Sequence, residues 1–233
     1  MRVTCRYVRA EGETPHWRFF YVLHRVKVVP LVCAAFVFLL STASFGAGAF
    51  ATSGLTAREL TRLEKGGVVL KAKDHPAGDG TSGARIKAYC VINRPPDAVW
   101  AIMLNYQKFA EFMPRLEKVE VLKKTQGTMK VTETVHVPLG VIVYTIDLIF
   151  TPAQRTVSWT LDKSRQHDIA DTSGTWEFLP YSQGRTMLRY TTTVDSGMFV
   201  PRFLEDAMIK KDLSNALLSL KRRAESDGTW KKK

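Results

Sequence analysis

The chain has 233 residues, enough for one sizeable domain or two very small ones, and its 45% hydrophobic and 24% charged content is ordinary for a globular protein. The net charge of +12 is compatible with an anionic membrane surface as a partner. However, the sequence has no dense basic block interleaved with aromatic residues, and Lys231–Lys233 is too short for a nucleic-acid tail. We therefore expect no nucleic-acid partner and interpret most of the charge as a solvated surface.

Residues 1–51 have the pattern of a secretory signal. An uncharged apolar run from Val28 to Leu40 follows Arg25 and Lys27, and the small residues Ala47–Ala49 come after it. A cationic start, an apolar core of this length and an Ala-x-Ala site are typical of a signal peptide. The run is short for a membrane-spanning helix, which needs about 20 apolar residues, although an uncleaved inner-membrane anchor stays an alternative. We predict export to the periplasm or cell envelope.

Residues 52–84 form a lead-in segment. A short helix is predicted from Leu55 to Lys65, where Thr56 caps the start and Glu59, three residues later, completes a capping box. Two glycines end this helix. The rest of the segment is predicted to be a short strand and a flexible loop rich in Gly, Pro and Asp, at Val68–Leu70 and Asp74–Gly83.

The main domain is predicted at residues 85–226 and begins with a strand at Ile86–Ile92. Two short helices follow it, the first with Pro95 at its opening and the second ended by Pro114. From Arg115 to Asp195, short segments alternate apolar and polar residues at hairpin-like spacing. This pattern predicts an antiparallel sheet, with about seven strands in all.

A long amphipathic segment, Val200–Glu225, follows the strands, and a basic tail occupies residues 227–233. Pro201 suits the first position of a helix, and the apolar residues behind it recur close to the helical period. The predicted class is therefore α+β, with a sheet that packs around one long C-terminal helix. Such an arrangement can enclose a cavity, so the function depends on what fills it.

Three segments resemble a known family, in the order NRPPDAVWAIMLNYQKFAEFMPRLEKVEVL at Asn93–Leu122, SGTWEFLP at Ser173–Pro180, and Val194–Glu225. They are similar to the START-like (SRPBCC) superfamily, in the branch of coenzyme-Q-binding and polyketide cyclase/dehydrase-like proteins. The resemblance implies a helix-grip fold, in which a curved antiparallel sheet grips the C-terminal helix, an apolar cavity lies between them, and two short helices follow the first core strand. It also implies a ligand-binding domain in a family of binders, transfer proteins and enzymes.

One pair of residues departs from part of this family. Members close to the mitochondrial quinone binders tend to carry Trp-Cys directly after the proline that corresponds to Pro114, whereas this chain has Arg115 and Leu116 there. The motifs therefore identify the fold and not the ligand.

The residues expected to line the cavity are large apolar side chains where the sheet, the last loop and the helix would meet. Cavity lining and ordinary core packing are equally compatible with Trp159 and Trp176, whereas core packing suits Trp100 better. Met198–Val200 would act as a gate, because hinges lie at the ends of elements. The predicted ligand-binding set is Tyr144, Trp159, Trp176, Phe178, Met198, Phe199, Phe203, Leu204 and Met208.

The sequence contains no recognisable catalytic or metal-binding motif, so no catalytic residue, cofactor or metal is predicted. It lacks a nucleophile elbow, a Walker loop, an HExxH motif and a dinucleotide fingerprint, and its three cysteines form no CxxC pair. Asp147 interrupts an otherwise apolar strand and would be an acid or base if it faced an apolar cavity. An ion pair with an arginine or exposure to solvent is the more ordinary interpretation of this residue.

The leading hypothesis is a non-enzymatic protein that sequesters or transfers a hydrophobic small molecule such as a lipid, an isoprenoid or a quinone. The first alternative is a polyketide cyclase/dehydrase-like enzyme that uses Asp147, Tyr144 or Tyr190 as acid–base groups. The second alternative is an envelope interaction module, whose basic face would contact anionic lipid head groups or a partner protein.

Overall fold

The computed structural model describes residues 52, 54–74, 84–138, 140–197 and 202–233. The description is confined to the backbone at residues 72–74, 84 and 202–209. The predicted signal segment, the predicted gate at Met198–Val200 and nearly all of the predicted loop Asp74–Gly83 lie outside the described residues, so these interpretations stay predictions.

The helices of the described residues are α1 (Ala57–Glu64), α2 (Pro96–Met103) and α3 (Arg202–Glu225). The capping box predicted for α1 is confirmed, since Thr56 N donates to Glu59 Oε2 at 2.7 Å and Glu59 N donates to Thr56 Oγ1 at 3.3 Å. Proline begins α2, as predicted. A 3₁₀ helix at Tyr106–Glu111 takes the place of the second short helix. No helix in this part of the chain combines the length and apolarity needed to cross a membrane.

One antiparallel sheet of eight strands is present in the described residues, close to the seven or so expected. The strands are β1 (Val68–Asp74), β2 (Ala84–Ile92), β3 (Leu116–Lys124), β4 (Thr128–Val137), β5 (Gly140–Thr151), β6 (Thr156–Leu161), β7 (Asp171–Tyr181) and β8 (Arg185–Asp195). Their order across the sheet is β1-β2-β8-β7-β6-β5-β4-β3. Because β2 and β3 are far apart in this order, the intervening chain, which includes α2 and the 3₁₀ helix, must pass across a face of the sheet.

The main core lies on one face of the sheet. Alternate residues of the strands supply it, together with Val99 and Met103 of α2 and Leu217 and Leu220 of α3. The smaller helix α1 covers a second buried cluster, which includes Leu63. Hydrophobic residues on both sides of the β1–β2–β8 part of the sheet are therefore removed from water.

Trp100 is partly buried and packs against the main core, which agrees with the core role expected for it. Its ring meets Phe150 edge-on with a centroid distance of 6.2 Å and Phe178 with a centroid distance of 6.4 Å. Edge-to-face pairs of this kind add to the stabilisation from burial alone. This contact fixes α2 on the sheet.

The edge strand β3 is irregular. Its pairing with β4 shifts register between Leu116 and Lys118 and again between Val121 and Lys123. Arg115, just before the strand, has a φ of 63°, in the left-handed region. The chain thus turns sharply as it enters the sheet at this edge.

Candidate functional site

A cavity of about 220 Å³ lies between the core face of the sheet and the segment from Tyr106 to Leu116. Its wall consists mostly of apolar and aromatic side chains, with three tyrosines, two tryptophans, two threonines and one carboxylate. Strands β4 to β8 supply the sheet side of this wall. Residues 106–116, which we call the crossing segment, supply the other side. The site therefore depends on the chain path that carries residues 106–116 over the sheet.

Larger hollows occur on the surface. One of about 560 Å³ lies on the outer face of β6 to β8, where serines, threonines and charged residues such as Arg85 and Lys87 form it. Another, of about 430 Å³, lies between α2 and the end of α3. The smaller cavity is the better candidate, because its lining includes buried aromatic residues, and ligand sites are typically concave and apolar.

The structure places some of the predicted site residues around this cavity. Tyr144, Trp159 and Trp176 line it. Phe178 does not; it is 1% exposed and packs against Trp100 in the core. The remaining predicted residues lie outside the described part or in the backbone-only part of α3, and they are Met198, Phe199, Phe203, Leu204 and Met208. Ligand binding by the predicted set stays a prediction.

Three aromatic residues from adjacent strands form a cluster in the wall. The rings of Trp159 and Tyr190 are stacked with a centroid distance of 5.4 Å, and the Trp176 ring lies 4.3 Å from that of Tyr190. Gly174 makes room for this arrangement, since a Cβ there would come within 2.3 Å of Trp159 Cζ2. The cluster presents a broad aromatic surface to anything in the cavity.

A buried carboxyl group stands in the same wall. Glu133 is 6% exposed; Tyr106 Oη donates to its Oε1 at 2.7 Å, and Tyr144 Oη donates to its Oε2 at 2.8 Å. We call these three residues the Glu133 cluster. Burial raises the pKa of Glu133 above its ordinary value and raises the pKa of both tyrosines well above theirs. Burial also raises the pKa of Tyr190 to about 12, so the phenols of the wall are neutral.

Glu133 was not among the predicted site residues, although the sequence contains a signal for it. Met129, Val131 and Val135 alternate along β4 and define its core face. Glu133 occupies the same register, so it had to face the core. Its partner across the strand pair is Tyr144, directly opposite on β5. A charged residue at an apolar register position was therefore the sign that sequence reasoning missed.

Asp147 forms an ion pair and is partly exposed to solvent, which is the ordinary interpretation of this residue. It lies on the outer face of β5, where its carboxylate pairs with Lys130 Nζ at 3.0 Å and is 46% exposed. The partner is a lysine rather than the arginine considered from sequence. Lys130 also pairs with Asp162, and this contact lowers the pKa of Asp162 to about 2. Asp147 is therefore not available to the cavity as an acid or base.

The crossing segment is tied to α3 and to the C-terminal residues. Arg115 Nε lies 2.8 Å from Asp212 Oδ2 of α3, so these two partly buried side chains form an ion pair. Leu116, beside it, lines the cavity. The predicted basic tail folds back on this segment, because Lys232 Nζ donates to Met113 O at 2.9 Å. These contacts hold the segment against the rest of the domain.

No group of His, Cys, Asp and Glu side chains in the described part of the chain has an arrangement that could hold a metal ion. Cys90 is buried in the core, and burial raises the pKa of its thiol to about 12. The described wall of the cavity provides apolar and aromatic contacts and, at the Glu133 cluster, hydrogen-bonding groups.

The family model for polyketide cyclase / dehydrase and lipid transport matches residues 84–225, more than half of the chain. The chain belongs to this family. The predicted resemblance to the START-like superfamily is thereby confirmed, while the narrower resemblance to coenzyme-Q-binding proteins stays a prediction. No curated protein sequence is significantly similar to the chain.

Solved structures of similar proteins agree with the fold of this family member. The Zhui aromatase/cyclase from Streptomyces sp. R1128 is 22% identical, with a TM-score of 0.55 over 61% of this chain and 94% of that one. A STAR-related lipid transfer protein from Xanthomonas axonopodis is 13% identical, with a TM-score of 0.52 over 66% and 98%. Human StAR-related lipid transfer protein 5 is 10% identical, with a TM-score of 0.55 over 69% and 83%. At such identities the likeness shows the fold alone, and the predicted helix-grip α+β fold is confirmed.

Proposed function

We propose that this family member binds a hydrophobic small molecule, such as a lipid, an isoprenoid or a quinone, and sequesters or transfers it without changing it chemically. The observation that carries the proposal is the cavity under the crossing segment, walled by Trp159, Trp176 and Tyr190. Removing apolar surface from water contributes about 25 cal/mol per Å², so contact with such a wall stabilises an apolar ligand. The description of the family includes lipid transport, which is compatible with this choice.

The size of the cavity limits what it holds. A volume of about 220 Å³ is below the roughly 300–1,000 Å³ of sites for drug-sized ligands. A compact ring system fits such a volume, and so does the first part of a longer molecule. A long ligand would therefore leave part of its chain outside the described cavity, or would require the crossing segment to move.

Native mass spectrometry of the purified protein, followed by organic extraction, tests this proposal. We expect bound species with the mass of a small apolar molecule. Val135 lines the cavity, so Val135→Phe places a larger side chain in it and should lower ligand occupancy. Val141 is 49% exposed, so Val141→Phe should leave ligand occupancy unchanged. Protein that is consistently empty and takes up no added lipid, isoprenoid or quinone would contradict the proposal.

A polyketide cyclase/dehydrase-like activity is the second candidate. One observation favours it: Tyr144 Oη lies 2.8 Å from Glu133 in the cavity wall, so acid–base groups adjoin the space where a reactive polyketone would fold. Incubation with a short poly-β-ketone, followed by mass spectrometry, distinguishes the two candidates. Loss of water that depends on Tyr144 and Glu133 supports an enzyme, whereas unchanged polyketone in the presence of folded protein supports a binder.

Export to the periplasm or cell envelope is part of the proposal and rests on the sequence pattern of residues 1–51. Cell fractionation combined with mass measurement of the mature chain tests it. A soluble periplasmic product shortened near Ala49 supports a cleaved signal, and a full-length membrane-bound product supports an anchor. A full-length chain in the cytoplasm would contradict both.

A further inference from the structure

Among the described residues that line the cavity, Glu133 has the only acidic side chain. No Lys, Arg or His lines the described cavity with it, and its two hydrogen-bond donors, Tyr106 and Tyr144, are neutral phenols. Burial of a carboxyl group without a cation is unfavourable unless hydrogen bonds satisfy it. An apolar side chain would pack at this position at lower energetic cost, so packing does not explain why a carboxyl group lines the cavity here.

The hydrogen-bond inventory of the Glu133 cluster shows what it lacks. Each carboxylate oxygen accepts about two hydrogen bonds, and each oxygen of Glu133 receives one from a tyrosine. Both phenolic protons are directed at the carboxylate, so the ionised cluster has acceptor positions left but no free donor. A ligand group that complements it must therefore bring a proton.

A hydroxyl group meets this requirement and a carboxylate does not. A hydroxyl donates one hydrogen bond, so it can fill a remaining acceptor position of the Glu133 carboxylate. A second carboxylate would bring like charge and only acceptors next to Glu133, which raises the energy of both groups. The hydrocarbon part of the ligand would pack against the aromatic cluster of Trp159, Trp176 and Tyr190, which lines the same cavity.

We propose that the Glu133 cluster selects the ligand, so that the cavity takes an apolar molecule with a neutral hydroxyl group, an alcohol or a phenol, and discriminates against fatty acids and other carboxylate-headed lipids. This inference rests on the proposed function, because it names the ligand class for the same cavity. It makes Glu133 a specificity-determining residue.

Three probes with one ring system test the selection: 2-naphthol, 2-methoxynaphthalene and 2-naphthoate. Each is titrated calorimetrically into the full-length protein at neutral pH. We expect 2-naphthol to bind about tenfold more tightly than either of the others, because one hydrogen bond to a charged acceptor corresponds to roughly that ratio. The methyl ether removes the donor and keeps the ring, and the carboxylate adds the charge.

Matched variants assign the preference to one side chain. Glu133→Gln keeps the shape of the side chain but removes the charge and supplies amide protons, so the preference for 2-naphthol over the ether should fall to about threefold or less. Glu117→Gln, at an acid whose side chain is 57% exposed on β3, should keep the wild-type ratio. Tyr144→Phe frees one acceptor position at Oε2 and should keep or increase the preference. If the substitutions only loosened the fold, the preference for 2-naphthol over the ether would fall in both Glu133→Gln and Tyr144→Phe.

The outcomes separate this inference from the proposed function. Wild-type protein that binds 2-naphthol and 2-methoxynaphthalene equally overturns the inference and leaves the proposed function in place. Wild-type protein that binds no probe, and carries no extractable ligand, overturns both. If Glu133→Gln does not fold, the wild-type ratio and the Tyr144→Phe variant decide, and a Tyr144→Phe protein without preference contradicts the inference.

Discussion

Glu111 Oε2 lies 2.9 Å from Arg223 Nη2, so an ion pair joins the 3₁₀ helix to α3. The Arg223 side chain is 7% exposed, donates through Nη1 to Trp230 O at 2.7 Å, and lies over the Phe112 ring at 5.3 Å. One guanidinium therefore connects the long helix, the C-terminal tail and the segment that covers the cavity.

Replacement of this arginine should destabilise the domain. Arg223→Met leaves the Trp230 carbonyl without its side-chain donor and leaves the Glu111 carboxylate with Lys231 Nζ, 3.5 Å away, as its remaining cation. We expect the free energy of unfolding to fall by about 2 kcal/mol. Urea denaturation measures the change. Arg222→Met is the control, because Arg222 is exposed and its contact with the Trp230 ring, at 5.6 Å, contributes at most about 1 kcal/mol. Equal effects of the two substitutions would contradict a structural role for the buried Arg223 side chain.

Gly174 should tolerate no side chain. A Cβ at this position would lie 2.3 Å from Thr191 O, a main-chain atom, and 2.3 Å from Trp159 Cζ2. Gly174→Ala should therefore lower the free energy of unfolding by about 2 kcal/mol or more and alter the tryptophan fluorescence. Gly127→Ala is the matched control, since its nearest neighbour would lie 3.9 Å away, and it should change stability by less than about 0.5 kcal/mol. A stable Gly174→Ala protein with unchanged fluorescence would show that the aromatic cluster is packed differently.

Lys232 should restrain the segment that it contacts. Its Nζ donates to Met113 O at 2.9 Å and Leu116 O at 2.5 Å, and burial lowers the pKa of this amine. Lys232→Met removes both hydrogen bonds, and we expect amide hydrogen exchange in residues 106–116 to become faster than in the wild-type protein, with exchange in the sheet unchanged. Lys233→Met, at an exposed position, is the control. Exchange rates in residues 106–116 that match wild type would rule out this restraint.

The pH dependence of stability should carry the signature of Glu133. Because burial raises its pKa above the usual 4.5, the folded protein holds this proton more tightly than the unfolded chain. Its contribution to stability is therefore complete below pH 4.5 and is lost as the pH rises through the raised pKa. Glu133→Gln has no proton to lose at this position. The free energy of unfolding of the variant should therefore increase relative to that of wild type as the pH rises. Urea denaturation across the pH range measures both proteins, and parallel curves would show that the Glu133 pKa is not raised.

Local signals in the sequence predicted much of the fold. The capping box of Thr56 and Glu59 and the proline at the start of α2 act within a few residues, and alternation along single strands is equally local. The path between β2 and β3 is different, because it depends on β2 pairing with β8, about a hundred residues further along the chain. This long-range pairing decides that residues 106–116 cover the sheet.

The candidate site was predicted less completely for the same reason. Aromatic residues on core-facing positions look alike in sequence, and only the assembled sheet separates Trp159 and Trp176 in the cavity wall from Phe178 in the core. Glu133 could have been found from its register on β4. Its partner Tyr106 could not, because that contact joins a 3₁₀ helix to a strand through tertiary packing.

The irregular edge strand β3 has a consequence for how the molecule behaves in a crowded solution. An exposed edge offers unpaired N–H and C=O groups to any other extended chain, and this is a common route to aggregation. The two register shifts in this nine-residue strand interrupt the regular spacing of such groups, and Lys118, Glu120 and Lys123 place charges beside them. A second strand would meet mismatched hydrogen-bond partners and would bury charge. This side of the protein is therefore built to resist the addition of another chain.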